Sequence, residues 1–123
     1  MNLPVVNVRW STPIPCDGAD AAPIPARSGV YEILRRDESG VERMFIAQTA
    51  DLRRAFVSHI AGTAGDEALR RGMLKEPTAF RYWDCVSESR RREVVAALVD
   101  MHCYEWGHED VGDVGCVNVS ELE

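Results

Sequence analysis

Two short segments separated by a turn constrain the fold of this chain more than any other part of its sequence. Gly29-Val30-Tyr31 begins a run rich in apolar residues that predicts a β-strand as far as Arg35. Residues 41–47, which end in Phe45-Ile46-Ala47, predict a second strand. The turn-forming residues between the two strands, Asp37-Glu38-Ser39-Gly40, join them into a β-hairpin. We therefore take this hairpin as the start of a β-sheet.

A helix is predicted directly after the hairpin. Asp51 or Thr49 has the side-chain oxygen that an N-cap requires. Glycines at positions 62 and 65 are expected to end this helix. Three apolar residues recur at i, i+4 and i+8 and predict its buried face: Leu52, Phe56 and Ile60.

The second half of the chain predicts a strand between two further helices. Residues 66–74 favour a short helix, and the alternating, aromatic-rich residues 80–86 favour a strand. Ser87 is the expected N-cap of a long helix that continues to about Trp106. Four apolar residues predict its buried face: Val94, Val95, Leu98 and Met101. The predicted order of elements is β-β-α-(α)-β-α.

The two ends of the chain carry weaker signals. Residues 3–10 alternate loosely and favour a short strand, whereas the prolines and Gly18 within residues 11–28 predict an irregular connector. After Gly107 we expect an irregular tail with one candidate strand over residues 114–119. We divide the chain into an N-terminal strand and Pro-rich connector (1–23), a central domain (24–106) and an acidic C-terminal tail (107–123).

The central domain resembles the GIY-YIG nuclease family. In that family a Pro-x-x-x-Gly-Val-Tyr strand is followed by a Tyr-Ile-Gly strand and by a helix that opens with Asp/Asn-Leu-Arg. Here the matching segments are residues 25–31, Phe45-Ile46-Ala47 and Asp51-Leu52-Arg53. The resemblance implies an α+β fold with a small three-stranded, mostly antiparallel sheet flanked by helices.

The resemblance also implies a site for cleavage of phosphodiester bonds. Tyr31 and His59 occupy positions that orient or deprotonate the attacking water, and Glu93 occupies the position that binds a divalent metal, Mg²⁺. Each residue also has an ordinary structural interpretation. Tyr31 fits a core aromatic residue, His59 fits a residue at a helix end, and Glu93 fits an exposed helical glutamate.

Several positions depart from the family pattern. Phe45 lacks the hydroxyl of the second tyrosine, Ala47 replaces a glycine, and Ala55 stands where the family has an arginine. We therefore interpret the chain as a degenerate GIY-YIG domain that is catalytically weak or inactive, with Mg²⁺ as cofactor only if it is active. The alternative is an active, divergent Mg²⁺-dependent DNA endonuclease in which Arg54 replaces the missing arginine.

Charge is distributed unevenly along the chain. The net charge is −6, but residues 43–92 carry +4 and residues 93–123 carry −8. The basic part is where the resemblance places a DNA or RNA surface. We expect an acidic tail to repel a nearby polyanion, or to screen the basic part until a partner removes it. Four arginines are the candidates for nucleic-acid binding: Arg53, Arg54, Arg90 and Arg91.

Two further interpretations remain open. The acidic balance favours a protein-interaction module that meets no nucleic acid. A structural metal is a minor alternative at His102, Cys103, His108 and Cys116, although their spacing matches no familiar zinc pattern. No apolar run approaches the roughly 20 residues that span a bilayer, and the N-terminus lacks a secretory pattern, so we expect a cytoplasmic protein without a membrane partner. The oligomeric state is not determined by these patterns.

Overall fold

The computed structural model describes residues 3–16, 20–37 and 40–122. Within these ranges it contains six strands and three helices. The strands are β1 (Val5–Arg9), β2 (Ile14–Pro15), β3 (Gly29–Asp37), β4 (Gly40–Thr49), β5 (Thr78–Asp84) and β6 (Asn118–Leu122). The helices are α1 (Leu52–Ile60), α2 (Glu67–Lys75) and α3 (Glu88–Met101). Gly18 of the predicted connector and the predicted turn residues Glu38 and Ser39 lie outside the described residues.

The central sheet is antiparallel, with strand order β2-β5-β3-β4. The predicted α+β class is confirmed, but the predicted number of three strands is wrong because β2 adds a fourth. This strand is a two-residue pairing in which Ile14 lies opposite Phe80 and Pro15 opposite Ala79. Its place at the sheet edge explains why a strand forms in a Pro-rich connector, since an edge strand tolerates a residue without an N–H.

A second, two-stranded sheet joins the two ends of the chain. Strands β1 and β6 run parallel, with Val5 opposite Asn118 and Arg9 opposite Leu122. The first strand therefore lies within the predicted residues 3–10. The C-terminal strand begins four residues later than the candidate strand at 114–119. Its pairing partner lies more than 100 residues away in the chain, so local pattern does not define its limits.

Helix α1 begins where the sequence predicts but buries a different residue at its end. Asp51 is the N-cap, and its carboxylate accepts a hydrogen bond from the backbone N–H of Arg54 at 3.1 Å. Leu52 and Phe56 are buried as predicted. Ile60 is 41% exposed, whereas His59 is only 5% exposed. The helical stripe therefore ends on a histidine.

Helix α3 also begins at its predicted cap, Ser87, whose hydroxyl accepts from the backbone N–H of Arg90. It buries Val94, Val95 and Leu98 as predicted. It ends at Met101 rather than near Trp106, and Met101 itself is 53% exposed. The chain turns away at His102, which is extended, and so the last apolar position of the stripe faces solvent.

The helices cover opposite faces of the central sheet. Successive strand residues point to opposite faces, and Tyr31 packs with Leu52 of α1 and Leu69 of α2. Its neighbour Val30 packs in a separate cluster with Val94 of α3. Helices α1 and α2 therefore lie on one face, and α3 lies on the other. None of these helices combines the length and apolar character needed to span a bilayer.

Candidate functional site

Tyr31 and His59 form a hydrogen-bonded pair. The Tyr31 hydroxyl lies 2.8 Å from Nε2 of His59, although the two residues are 28 positions apart in the chain. Strand β3 presents Tyr31 towards α1, and the last turn of α1 presents His59 towards the sheet. The structure thus brings together two of the residues that the resemblance assigns to one site.

This pair is enclosed by aromatic rings. The Phe80 ring stacks on Tyr31 with centroids 5.0 Å apart, and the Phe45 ring lies 6.3 Å from Tyr31 and 5.7 Å from His59. Tyr31 is 6% exposed and His59 is 5% exposed. Phe45, which replaces the second tyrosine of the family, therefore supplies an apolar wall beside the pair.

Burial changes the acid–base properties of both groups in the direction that disfavours charge. Desolvation lowers the pKa of His59 to about 4. Burial and, less strongly, the Glu109 carboxylate raise the pKa of Tyr31 well above its ordinary value. Both side chains are consequently neutral near pH 7. A nuclease would need this pair to orient or deprotonate a water molecule, and two neutral side chains with so little exposed surface are poorly placed to do so.

Glu93, the predicted metal ligand, lies elsewhere. Its helix, α3, packs on the face of the sheet opposite to Tyr31 and His59. The Glu93 carboxylate lies 3.6 Å from Arg90 and beside Gly115, where an added Cβ would come within 2.7 Å of Oε2. The sheet therefore separates the predicted metal ligand from the predicted water-positioning pair.

The surroundings of Glu93 are acidic but do not form a set of metal ligands. Glu93, Asp100 and Asp113 line a cavity of about 230 Å³ between α3 and the segment 112–117. Within the part of the chain that the structure describes, no three His, Cys, Asp or Glu side chains come close enough together to hold a metal ion. Mg²⁺ binding at Glu93 remains a prediction.

The alternative soft-metal residues are dispersed. His102 Nε2 lies 3.2 Å from a carboxylate oxygen of Glu121, and His108 Nδ1 lies 3.0 Å from the carbonyl oxygen of Glu109. Cys116 lines the cavity beside Glu93. The described residues therefore give no support to a structural metal shared by these side chains.

The four predicted nucleic-acid-binding arginines fall into two groups. On α3, Arg91 is 5% exposed and donates to Gln48 Oε1 and to the carbonyl oxygens of residues 85 and 86. Arg90 pairs loosely with Glu93. On α1, Arg54 is exposed, and Arg53 is exposed although its Nε donates to the Ile24 carbonyl oxygen at 2.7 Å. Of the four, Arg53 and Arg54 are exposed, whereas Arg90 is partly buried and Arg91 is buried.

A buried charged network involves residues that the sequence patterns do not single out. Glu32, on the central strand β3, is fully buried. Its carboxylate accepts hydrogen bonds from Arg43 of β4 at 3.0 Å and from Arg81 of β5 at 2.7 Å. The Tyr104 hydroxyl donates to the same carboxylate. Arg43 also binds Glu121 of β6 at 2.6 Å. The network ties the small parallel sheet to the central sheet.

The alternation of strand β3 contains a signal for this network. Val30, Glu32 and Leu34 alternate with Tyr31 and Ile33, so an acidic residue occupies one of two apolar faces. An ionised carboxylate in such a position requires a cationic partner. The sequence indicates that need but does not identify Arg43 and Arg81 as the residues that meet it.

The chain was also compared with known proteins. No protein-family model matches it, and no curated protein matches it.

Proposed function

We propose that this chain is a non-catalytic GIY-YIG-like domain that binds nucleic acid through the surface of α1 and α2. The observation that carries the proposal is the division of the expected site by the central sheet. Tyr31 and His59 are buried together on the α1 face, whereas Glu93 lies with α3 on the other face. A metal-bound water held at Glu93 would have no access to the pair that should position it.

The missing arginine is not replaced within the same cluster. Ala55 occupies its position and packs against the core cluster that contains Tyr31. Arg54 is one residue earlier, about 100° around the helix, and its side chain is exposed. Removal of a charge-stabilising donor typically reduces the rate by about 10²–10³-fold. These features favour a binding role over the alternative of an active nuclease.

The distribution of charge favours the α1–α2 surface as the binding surface. Arg53 and Arg54 on α1 and Arg70 and Lys75 on α2 are exposed, and in the described residues Arg54, Arg70 and Lys75 form no ion pair. The acidic segment after Gly107 packs with α3, since Val111 belongs to the cluster of Val94 and Leu98. Asp110 and Asp113 line cavities against α3 and so lie away from the basic helices, whereas Glu109 lies near Tyr31. A polyanion can therefore approach α1 and α2 without meeting Asp110 or Asp113.

The test measures binding and cleavage on one set of labelled nucleic acids: single-stranded DNA, branched DNA and RNA of matched sequence. Fluorescence anisotropy measures affinity over a series of salt concentrations, and gel analysis after addition of Mg²⁺ or Mn²⁺ measures cutting. Arg54→Gln is compared with Arg90→Gln, which removes the same charge from the α3 face. Glu93→Ala is included to identify any cutting that depends on this carboxylate.

We expect salt-sensitive binding without cutting. Arg54→Gln should weaken binding and reduce the slope of log K against log salt by about 0.7–0.9, the change that corresponds to one fewer neutralised phosphate. Arg90→Gln should leave both the affinity and the slope nearly unchanged. Cutting that disappears in Glu93→Ala would instead establish the divergent endonuclease. Absence of both binding and cutting would overturn the proposal in favour of a protein-interaction module.

A further inference from the structure

A cavity of about 380 Å³ lies between the end of α1 and the length of α2. Ligand pockets in proteins begin at about 300 Å³, so a small molecule fits within this volume. The apolar part of its wall includes Ile60, Met73, Leu74 and Pro77, and the polar part includes His59, Arg70, Glu76 and Thr78. We refer to it as the α1–α2 cavity.

The apolar wall of the α1–α2 cavity is incompletely covered. Ile60 is 41% exposed and Leu74 is 88% exposed, although both are large aliphatic residues. The neighbouring Leu69, on the inner side of the same helix as Leu74, is fully buried. Exposed aliphatic side chains around a concave surface are favourable contacts for an apolar ligand.

The cavity also borders a polar group that has no protein partner. His59 uses Nε2 for its hydrogen bond with Tyr31, and its Nδ1 has no hydrogen-bond partner among the described residues, although the atom is buried. Buried polar atoms normally have a partner. Because Nδ1 is itself screened from solvent, we expect the anionic group of a ligand to lie at Arg70 and not at His59.

The described lining of the cavity contains one arginine, Arg70, and one carboxylate, Glu76. Glu76 is paired with Arg35, which does not line the cavity and whose Nη1 lies 3.0 Å from the Glu76 carboxylate. Arg70 is exposed and forms no ion pair within the described part of the chain. The adjacent Arg71 is also exposed, but it pairs with Glu67 and does not line this cavity.

We propose that the α1–α2 cavity binds a small apolar molecule that carries one anionic group, such as a medium-chain carboxylate. The apolar body contacts Ile60, Met73 and Leu74, and the anionic group pairs with the Arg70 guanidinium. This pairing uses the only lining cation whose charge no described carboxylate neutralises. Arg70 also belongs to the surface proposed to bind nucleic acid, but none of the tests of the cavity contains a nucleic acid, so failure of one proposal is distinguishable from failure of the other.

The experiment is a titration of ¹⁵N-labelled protein with sodium octanoate, below the concentration at which octanoate forms micelles, followed by NMR. Octanol is titrated in parallel as an uncharged molecule of the same chain length. Arg70→Gln tests the ion pair, and Arg71→Gln is the matched control one residue along the helix. Leu74→Glu places a negative charge on the rim at an exposed position, so that the fold is retained.

We expect saturable shifts confined to Cys16, residues 59–62 and residues 70–78, which line the cavity or adjoin its lining. Arg70→Gln should weaken octanoate binding by about tenfold or more, as expected when a charge-assisted hydrogen bond is removed. Leu74→Glu should also weaken it, and Arg71→Gln should change it by less than about twofold. Octanol should bind more weakly than octanoate.

Three results would overturn the proposal. The first is the absence of localised shifts with octanoate. The second is equal affinity for octanol and octanoate, which would show that the cavity does not select an anion. The third is equal weakening by Arg70→Gln and Arg71→Gln, which would indicate a general charge effect on the helix.

Discussion

His59 illustrates how burial can convert a residue with an expected catalytic role into a structural one. Its side chain is held against Tyr31 and between aromatic rings, and desolvation lowers its pKa to about 4. A general base at neutral pH is most effective when its pKa lies near 7 and its nitrogen reaches the reacting proton. His59 meets neither condition, so we expect its main effect to be on folding stability.

We expect the free energy of unfolding to decrease as the pH falls from about 6.5 towards 4, because over this range the unfolded chain protonates His59 and the folded chain does not. The complete difference corresponds to about 3 kcal/mol. Urea unfolding at several pH values should show a smaller decrease in His59→Gln. His108→Gln, at an exposed position, is the control. An identical pH dependence in His59→Gln and the parent protein would contradict this expectation.

Glu32 is the second residue whose role depends on burial. Its carboxylate receives hydrogen bonds from Arg43, Arg81 and Tyr104 while fully excluded from solvent. Removing one partner of a buried ion pair leaves an uncompensated charge and typically destabilises a protein by about 3–5 kcal/mol.

Glu32→Gln should therefore reduce the free energy of unfolding by about 3 kcal/mol or more, measured by urea denaturation at pH 7. Glu42→Gln is the matched control, because Glu42 also pairs with an arginine, Arg35, but its side chain is 52% exposed. We expect a change of less than about 1 kcal/mol for this surface pair. Similar decreases in the two variants would be inconsistent with a buried network that matters to stability.

Strand β3 depends on close backbone contact at its first residue. A Cβ added to Gly29 would lie 2.4 Å from the carbonyl oxygen of Trp83 in β5 and 2.8 Å from a methyl group of Leu52 in α1. Packing thus explains why the first residue of Gly29-Val30-Tyr31 is a glycine, because the side chain of any other residue would push β3 away from its neighbours.

Gly29→Ala should destabilise the protein by about 1–3 kcal/mol, as is typical when an atom is forced into a packed site. Val57→Ala, on the half-exposed outer face of α1, should change stability by less than about 0.5 kcal/mol. Thermal unfolding followed by circular dichroism measures both. A stability of Gly29→Ala equal to that of the parent protein would show that β3 and β5 can separate at no cost.

The helices show which local signals are sufficient. Asp51 and Ser87 are predicted N-caps, and both accept the expected backbone hydrogen bonds. The predicted apolar stripes are correct except at their C-terminal members, Ile60 and Met101, which are exposed. Caps act within one turn, whereas burial of the last residue in a helix depends on where the chain goes next.

The whole molecule places its exposed basic helices, α1 and α2, on the face of the central sheet opposite to α3. The exposed cations of α1 and α2 lie on one face, and the acidic segment after Gly107 packs with α3 and along the outer edge of β4. Arg92 is tied to this segment through the carbonyl oxygen of Val111 at 2.6 Å. Asp110 and Asp113 of this segment line cavities against α3, on the side away from the basic helices, whereas Glu109 lies near Tyr31.

Neutralising the acidic segment should have little effect on nucleic-acid binding. We expect Asp110→Asn combined with Asp113→Asn to raise DNA affinity by less than about threefold at about 0.15 M salt, because charges beyond about 8 Å are largely screened. Fluorescence anisotropy measures the change. An increase of about tenfold or more would restore the interpretation in which these carboxylates mask the binding surface.

The positions of residues along the chain predict only part of the candidate site. Tyr31 and His59 meet, as their positions imply, but Glu93 does not join them. Spacing along the chain places Glu93 in the second turn of α3 but does not say which face of the sheet that helix covers. The partners of Glu32 are likewise hidden, because Arg43, Arg81 and Tyr104 come from three separate segments.

The sequence by itself determined the local elements of this protein: the hairpin, the caps of its helices and the α+β class. These follow from alternation, capping and turn residues, all of which act over a few neighbouring positions. Only the tertiary structure decided the fourth strand, the pairing of the two chain ends, and the placement of α1 and α3 on opposite faces. These features arise from contacts between segments that are distant in the chain. Apolar side chains are buried, and backbone N–H and C=O groups find partners, only when the whole fold brings such segments together.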